Sequence, residues 1–262
     1  MQLENRNAII YGAGGSIGAA VATTFAREGA RLFLAGRTQE KLDKVAKTVA
    51  DAGGQADVAV LDALDEQAVD DHALAVAAQA GSIDVSLNLI SRGDIQGTPL
   101  TEMTVADFTR AIVNGATTTF ITARAAARHM IKQGSGVILA LDSGSAHGSP
   151  GMGSTGPTDA AIDTYIRNLA AEIGPHGVRV LGIWTAGLPE TLSPEKLRTV
   201  NADLQLDDAA FQGLLNNLDQ LRMTRRSPTL AQVAATAAFL ASDGAGAITG
   251  TFVNVTSGMF MS

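Results

Sequence analysis

Three groups of residues in this chain have types and spacing suited to chemistry. The first is a glycine-rich turn, Tyr11-Gly12-Ala13-Gly14-Gly15-Ser16-Ile17-Gly18, between a short apolar run and a helical one. A strand, such a turn and a helix N-terminus together make an anion site. Backbone N–H groups across Gly12, Gly14, Gly15, Ser16, Ile17 and Gly18 can face a phosphate, and the helix dipole favours its charge. Ser16 is also suited to cap that helix. Glycines serve tight strand-to-helix turns for steric reasons alone, but their place after the first strand favours phosphate. The second group lies at Ala35-Gly36-Arg37-Thr38. An acid here would accept the ribose hydroxyls of NAD, whereas the fork of Arg37 suits a 2′-phosphate, so NADP(H) is favoured over NAD(H). Asp62, in LDALDEQAV, is placed either to meet an adenine amino group or to cap the next helix. The third group is titratable: Asp142, His147 and Asp159. Histidine is the side chain type suited to acid chemistry near neutral pH, which makes His147 a candidate acid, and Asp159 suits a base if desolvated. The plain alternatives are a solvated loop histidine and an idle carboxylate.

These residues need elements to hold them. Short apolar runs at Asn7–Tyr11, Arg31–Ala35, Ala56–Leu61, Val85–Leu89, Val137–Leu141, Val178–Trp184 and Thr251–Val255 predict strands. They are apolar at nearly every position, as parallel strands covered on both faces are. Helical patterns at 17–29, 38–52, 65–80, 101–133, 156–173 and 229–242 alternate with them. The 101–133 stretch predicts two helices meeting near Asn114 and Gly115. Strand–helix alternation of this kind predicts one α/β domain over residues 1–262. It is a Rossmann-type, doubly wound sheet of seven parallel strands with helices on both faces. Residues 188–226 stand outside the alternation and predict a helical lid over a substrate pocket, or else a surface helix pair that only packs.

Composition narrows the partners. A hydrophobic content of 46% supports a large core, and a net charge of −7 with scattered Lys and Arg argues against nucleic acid. The absence of Cys removes disulfides, Cys-ligated metals and Cys nucleophiles, and fits a reducing compartment. No metal site is read. No apolar run approaches the roughly 18 residues of a spanning helix, so no membrane partner is expected. The start, MQLENRNAIIYG, runs straight into a strand without a signal-peptide pattern. A cytoplasmic protein acting on a small-molecule substrate is the expectation.

At the level of motifs the chain resembles a short-chain dehydrogenase/reductase over nearly its whole length. That family's Gly-x-x-x-Gly-x-Gly falls on Gly12, Ser16 and Gly18. Asn88-Leu89-Ile90-Ser91 stands in place of its Asn-Asn-Ala-Gly. The resemblance implies that Asn88 steadies the central strand, that Asn114 is the active-site Asn, and that Ser143 polarises a substrate carbonyl. GPHGVRVLGIWTAG and FLASDGAGAITGTFVNVTSG match the family's later segments, with Thr185-Ala186 in place of a Pro-Gly. The Ala-rich helices around 116–130 and 156–173 resemble those that the family packs between subunits, implying a homotetramer or homodimer.

The same resemblance exposes a departure. Aligning PTDAAIDTYIRNLAAEIGPHGVRV places Thr155 and Asp159 where the family keeps its proton-donating Tyr and its Lys. A Thr hydroxyl is far less acidic than a phenol of pKa about 10, and a carboxylate would raise a neighbouring hydroxyl's pKa. Tyr165 lies ten residues beyond Thr155, roughly 15 Å along the helix, and Tyr11 sits beneath the phosphate turn. Asp142 precedes Ser143, so strand alternation predicts that the two point to opposite faces. Three functions follow. The first is an NADP(H)-dependent oxidoreductase with a non-standard proton donor, drawn from Ser143, Asn114, Thr155, Asp159 and His147. The second is a catalytically silent NADP(H)-binding relative with a regulatory or structural role. The third is a non-redox lyase or isomerase using Ser143, His147 and Asp159.

Overall fold

The computed structural model describes residues 1–261. Seven strands form one parallel sheet: β1 (Asn7–Tyr11), β2 (Arg31–Gly36), β3 (Gln55–Val60), β4 (Val85–Asn88), β5 (Gly136–Asp142), β6 (Val178–Trp184) and β7 (Phe252–Asn254). Their order is β3-β2-β1-β4-β5-β6-β7. The chain therefore starts at the centre, winds to one edge, then returns to wind to the other. The reversal between β1 and β4 opens a crevice at the strand carboxyl ends. Register places Asn7 beside Arg31, and Ala8 beside both Leu32 and Val85.

Strand alternation builds two cores. Ala8, Ile10, Leu32 and Leu34 face one side, against α1 (Ser16–Arg27), α2 (Gln39–Asp51) and α8 (Leu230–Ala241). Ile9, Tyr11, Phe33 and Ala35 face the other, against α3 (Glu66–Ala80), α4 (Val105–Gln133) and α5 (Thr155–Ile173). The inner strands β1, β2, β4, β5 and β6 are covered on both faces, which is why their sequences are largely apolar rather than apolar at every second position, whereas the edge strand β3 is partly exposed along its length. No helix among the described residues is long and apolar enough to cross a membrane.

The predicted break near Asn114 is absent: α4 runs unbroken for 29 residues. Gly115 marks a close approach instead. A Cβ there would lie 2.7 Å from both Arg92 Cδ and Thr158 Cγ2, so only glycine lets α4 sit this near α5 and the loop after β4. Residues 188–226 hold two short helices, α6 (Pro194–Val200) and α7 (Asp208–Gln220). Their anchor is Arg222, whose side chain is buried and donates to the carbonyls of Leu218, Ala186 and Gly187. This ties α7 to the chain leaving β6.

Candidate active site

Hydrophobic strands end at the crevice, and the turns that follow them carry the polar groups. After β1, Gly12 takes φ +80° and a Cβ there would lie 2.6 Å from the Leu89 carbonyl oxygen, so the turn crosses β4 at backbone distance. The turn leads into α1, whose N-cap is Gly15. Ser16, predicted as the cap, is instead the first helical residue and makes no cap bond; its hydroxyl accepts from Lys196 Nζ at 3.1 Å. The first turn of α1 has neither a side-chain cap nor an acidic residue. Its N–H groups are therefore left for an external acceptor, and the residues present fit a dinucleotide phosphate.

One cleft of about 270 Å³ runs from this turn across the ends of β1, β2, β3 and β4. Gly12, Gly14 and Gly15 line it at one end, Arg37, Thr38, Lys41 and Asp62 at another, and Ser91 and Asn114 at the third. Asp62 does not cap α3; that role belongs to Asp65, whose carboxylate accepts from the Ala68 N–H. Asp62 instead accepts from the Leu64 N–H, which shapes the turn at the cleft wall. Asn88 donates to Thr119 Oγ1 and accepts from the Ile90 N–H, holding the exit of β4 against α4. Asn114 donates to the Arg92 carbonyl at 3.1 Å, fixing the same loop one step further on.

Beyond Asn114 the polar groups bond to one another. Asp159, on α5, is fully buried. Oδ2 accepts from Ser143 Oγ at 2.5 Å, from the Ser143 N–H at 3.3 Å and from the Ser145 N–H at 2.9 Å. Oδ1 accepts from Arg92 Nη1 at 2.5 Å. Four donors occupy roughly all the acceptor positions of a carboxylate. Arg92 also reaches Asp94 at 3.2 Å, and Asp94 accepts from Thr155 Oγ1 at 2.9 Å. Burial lowers the Arg92 pKa, but the charges of Asp94 and Asp159 outweigh it and hold the guanidinium above its usual range. Ser143 Oγ lies 2.6 Å from Ser145 Oγ. When Ser143 gives its proton to Asp159, the Ser145 hydroxyl is the donor in that second bond.

Asp142 does not point away from this cluster. Strand β5 stops at Asp142 and the chain turns at Gly144 (φ +75°), so strand alternation does not extend to Ser143. Its carboxyl is buried, with Oδ2 lacking a hydrogen-bond partner. Burial first, then the charges of Asp159 and Asp163, push its pKa up to about 9. His147 is placed elsewhere: it is exposed, packs edge-on to Trp184 at 5.1 Å, and lines a separate cavity with Asp163 and Arg167. Tyr165 packs against Phe120, and Tyr11 is buried under the glycine turn with its hydroxyl unbonded.

Sequence reading did not single out Arg92, Asp94, Ser145, Lys41 or Lys196. A signal was present for Arg92: a buried carboxylate needs a cation, and Arg92 directly follows Asn88-Leu89-Ile90-Ser91 at the end of the central strand.

Comparison with known proteins gives consistent matches. The sequence model of a family described as enoyl-(acyl carrier protein) reductase matches residues 12–260. The chain is 30% identical over 207 residues to gluconate 5-dehydrogenase of Gluconobacter oxydans, covering 79% of this chain and 78% of that protein. It is 30% identical over 259 residues to D-threitol dehydrogenase of Mycolicibacterium smegmatis, covering 95% and 90%. The crystal structure of NAD+-bound xylitol dehydrogenase shares the fold, with a TM-score of 0.87, 24% identity, and coverage of 98% of this chain and 100% of that one.

Proposed function

The chain belongs to the short-chain dehydrogenase/reductase family, and from that premise we propose an NADP(H)-dependent oxidoreductase acting on a small carbonyl or alcohol substrate with a non-standard proton donor. The observation that carries this reading is the adenosine end of the cleft. Arg37 and Lys41 line it, and no carboxylate follows β2 to accept ribose hydroxyls. A guanidinium with a neighbouring ammonium favours a 2′-phosphate over a bare ribose. Asp62 on the same wall suits the adenine amino group, and the glycine turn suits the pyrophosphate. The nicotinamide, when bound, supplies the hydride.

The chain's own residues have the proton to handle. In alignment with the family, Thr155 and Asp159 stand where a Tyr and a Lys act. Asp159 brings a negative charge to the Lys position, and Arg92 returns a positive one from the opposite wall. Ser143 is the hydroxyl that the family alignment sets against the substrate oxygen, and its 2.5 Å bond to Asp159 lets it take the proton of a substrate alcohol while its own hydrogen passes to the carboxylate, with the reverse transfer from the protonated carboxyl serving carbonyl reduction. Thr155, tied to Asp94, helps to hold Arg92 in place. Residues 188–226 act as the lid over this end.

A second reading has its own support. Ser143, Asp159 and Arg92, with Asp94 and Thr155 behind Arg92, satisfy one another's hydrogen bonds without a substrate, the arrangement expected of a relative that binds NADP(H) but does not turn over. Fluorescence titration with NADPH and NADH tests the common premise, and absence of binding at millimolar dinucleotide overturns both readings. Given binding, NADPH oxidation across a panel of small ketones, aldehydes and diols separates turnover from silence. Assembly as a homotetramer, or a homodimer, follows from the same family reading. It is tested by light scattering on the intact chain, where a monomer would remove it.

A further inference from the structure

The contact between Lys196 and Ser16 joins residues 180 apart in sequence, one on the lid helix α6 and one at the start of α1. It brings an ammonium to the positive end of a helix dipole, where a cation is disfavoured unless an anion lies between them. Nothing in the first turn of α1 offsets that charge, since it has no acidic residue and no side-chain cap.

A second observation concerns the distribution of charge. The chain carries 26 acidic and 19 basic residues, and Arg6, Arg31, Arg92 and Arg124 each hold an Asp. Arg37, Lys41 and Lys196 form no ion pair among the described residues. Two of them line the cleft, and the third reaches its glycine turn. Three unpaired cations that converge on one cleft, without an acid to neutralise them, complement a polyanionic ligand.

Lys196 is also held over the turn at the level of the backbone. Ser193 caps α6 by accepting from the Lys196 N–H, and at the other end of the helix the Val200 carbonyl accepts from the Gln96 N–H. The lid helix is thus tied to the loop after β4, with Lys196 on its first turns.

We propose that Lys196 is a dinucleotide-binding residue: the lid places its ammonium on the pyrophosphate at the α1 N-terminus, so that cofactor phosphates and lid position are coupled. This inference rests on the dinucleotide reading above and adds a residue to it from outside the glycine turn.

The test compares wild type with Lys196→Ala and Lys196→Arg by isothermal titration, using NADP+ and adenosine 2′-monophosphate as probes. The second probe carries the 2′-phosphate for Arg37 and lacks a pyrophosphate. Lys196→Ala is expected to weaken NADP+ about tenfold and leave adenosine 2′-monophosphate unchanged. Lys196→Arg, which keeps the charge, is expected to retain most of the affinity. Trypsin cleavage after Arg198, a site both proteins keep, is expected to slow with NADP+ in wild type and not in Lys196→Ala. Equal NADP+ affinity in wild type and Lys196→Ala overturns the proposal alone. An equal loss for both probes overturns it too, since it would place Lys196 away from the pyrophosphate. No binding of either dinucleotide by wild type overturns the dinucleotide reading and this proposal with it. Lys196 is exposed, so the variants are expected to fold, which circular dichroism checks.

Discussion

Arg92 Nη1 lies 2.5 Å from Asp159 Oδ1, a pair separated by 67 residues and closed almost completely from solvent. The loop after β4 and the helix α5 are thereby joined by charge at the carboxyl end of the sheet. Removal of Arg92 leaves Asp159 buried without a counter-charge, whereas Arg92 keeps Asp94 as a second partner. Arg92→Leu is therefore expected to cost about 3–5 kcal/mol in urea unfolding, and Arg92→Leu with Asp159→Asn to cost less than the single change. Equal losses for the single and double variants would show that the charge of Asp159 is not what Arg92 balances.

The adenosine end allows a change of cofactor preference. On the proposed reading, Arg37→Asp would put a ribose acceptor in place of a 2′-phosphate partner and remove a charge-assisted contact. NADPH affinity is expected to fall at least about tenfold relative to NADH. Fluorescence titration of both dinucleotides measures the ratio, and an unchanged ratio would remove Arg37 from the site.

Asp142 gives the fold a dependence on pH. Its pKa is pushed up to about 9 by burial and by the charges of Asp159 and Asp163, against about 3.9 in an unfolded chain. Between those values the folded chain keeps a proton that the unfolded chain has lost. Asp142 therefore lowers stability as pH rises from about 4 through about 9, and no further above that. Asp142→Asn is expected to flatten the urea midpoint across pH 5–9 and to raise it most at the alkaline end. A midpoint profile parallel to that of wild type would show that another group governs the slope.

On the proposed alignment, introducing the family's pair takes three changes. Asp159→Lys alone would set an ammonium against the Arg92 guanidinium in a buried site, and is expected to leave the chain unfolded. Thr155→Tyr with Asp159→Lys and Arg92→Ser removes that conflict. This triple variant is expected to fold and to gain NADPH-dependent reduction of a generic diketone. Folding without any gain would show that the catalytic end differs from its relatives by more than the proton donor.

Local pattern and non-local contact divide what the sequence disclosed. The inner strands are legible because each is a short apolar run covered on both faces, and the edge strand β3 because its apolar end stands between helical patterns. Three residues that line the cleft are legible for a related reason: Gly12, Arg37 and Asp62 sit at strand ends, where the fold converges. Helix α4 misled because Gly115 resembles a break, whereas its missing side chain makes room for Arg92 and Thr158. The pairing of Asp159 with Arg92 has no local pattern, since a loop arginine and a helix aspartate become neighbours only once β4, β5 and α5 are packed. Asp142 was misplaced because alternation was carried one residue past the end of a strand.

The Arg92–Asp159 bond also constrains the order in which this sequence can change. Lysine at position 159 is tolerated only after position 92 has lost its charge, and loss of that charge first strands Asp159. On the proposed alignment, every single-residue route to the family's pair therefore passes through a destabilised chain. Substitution is more easily absorbed around the pair than at it.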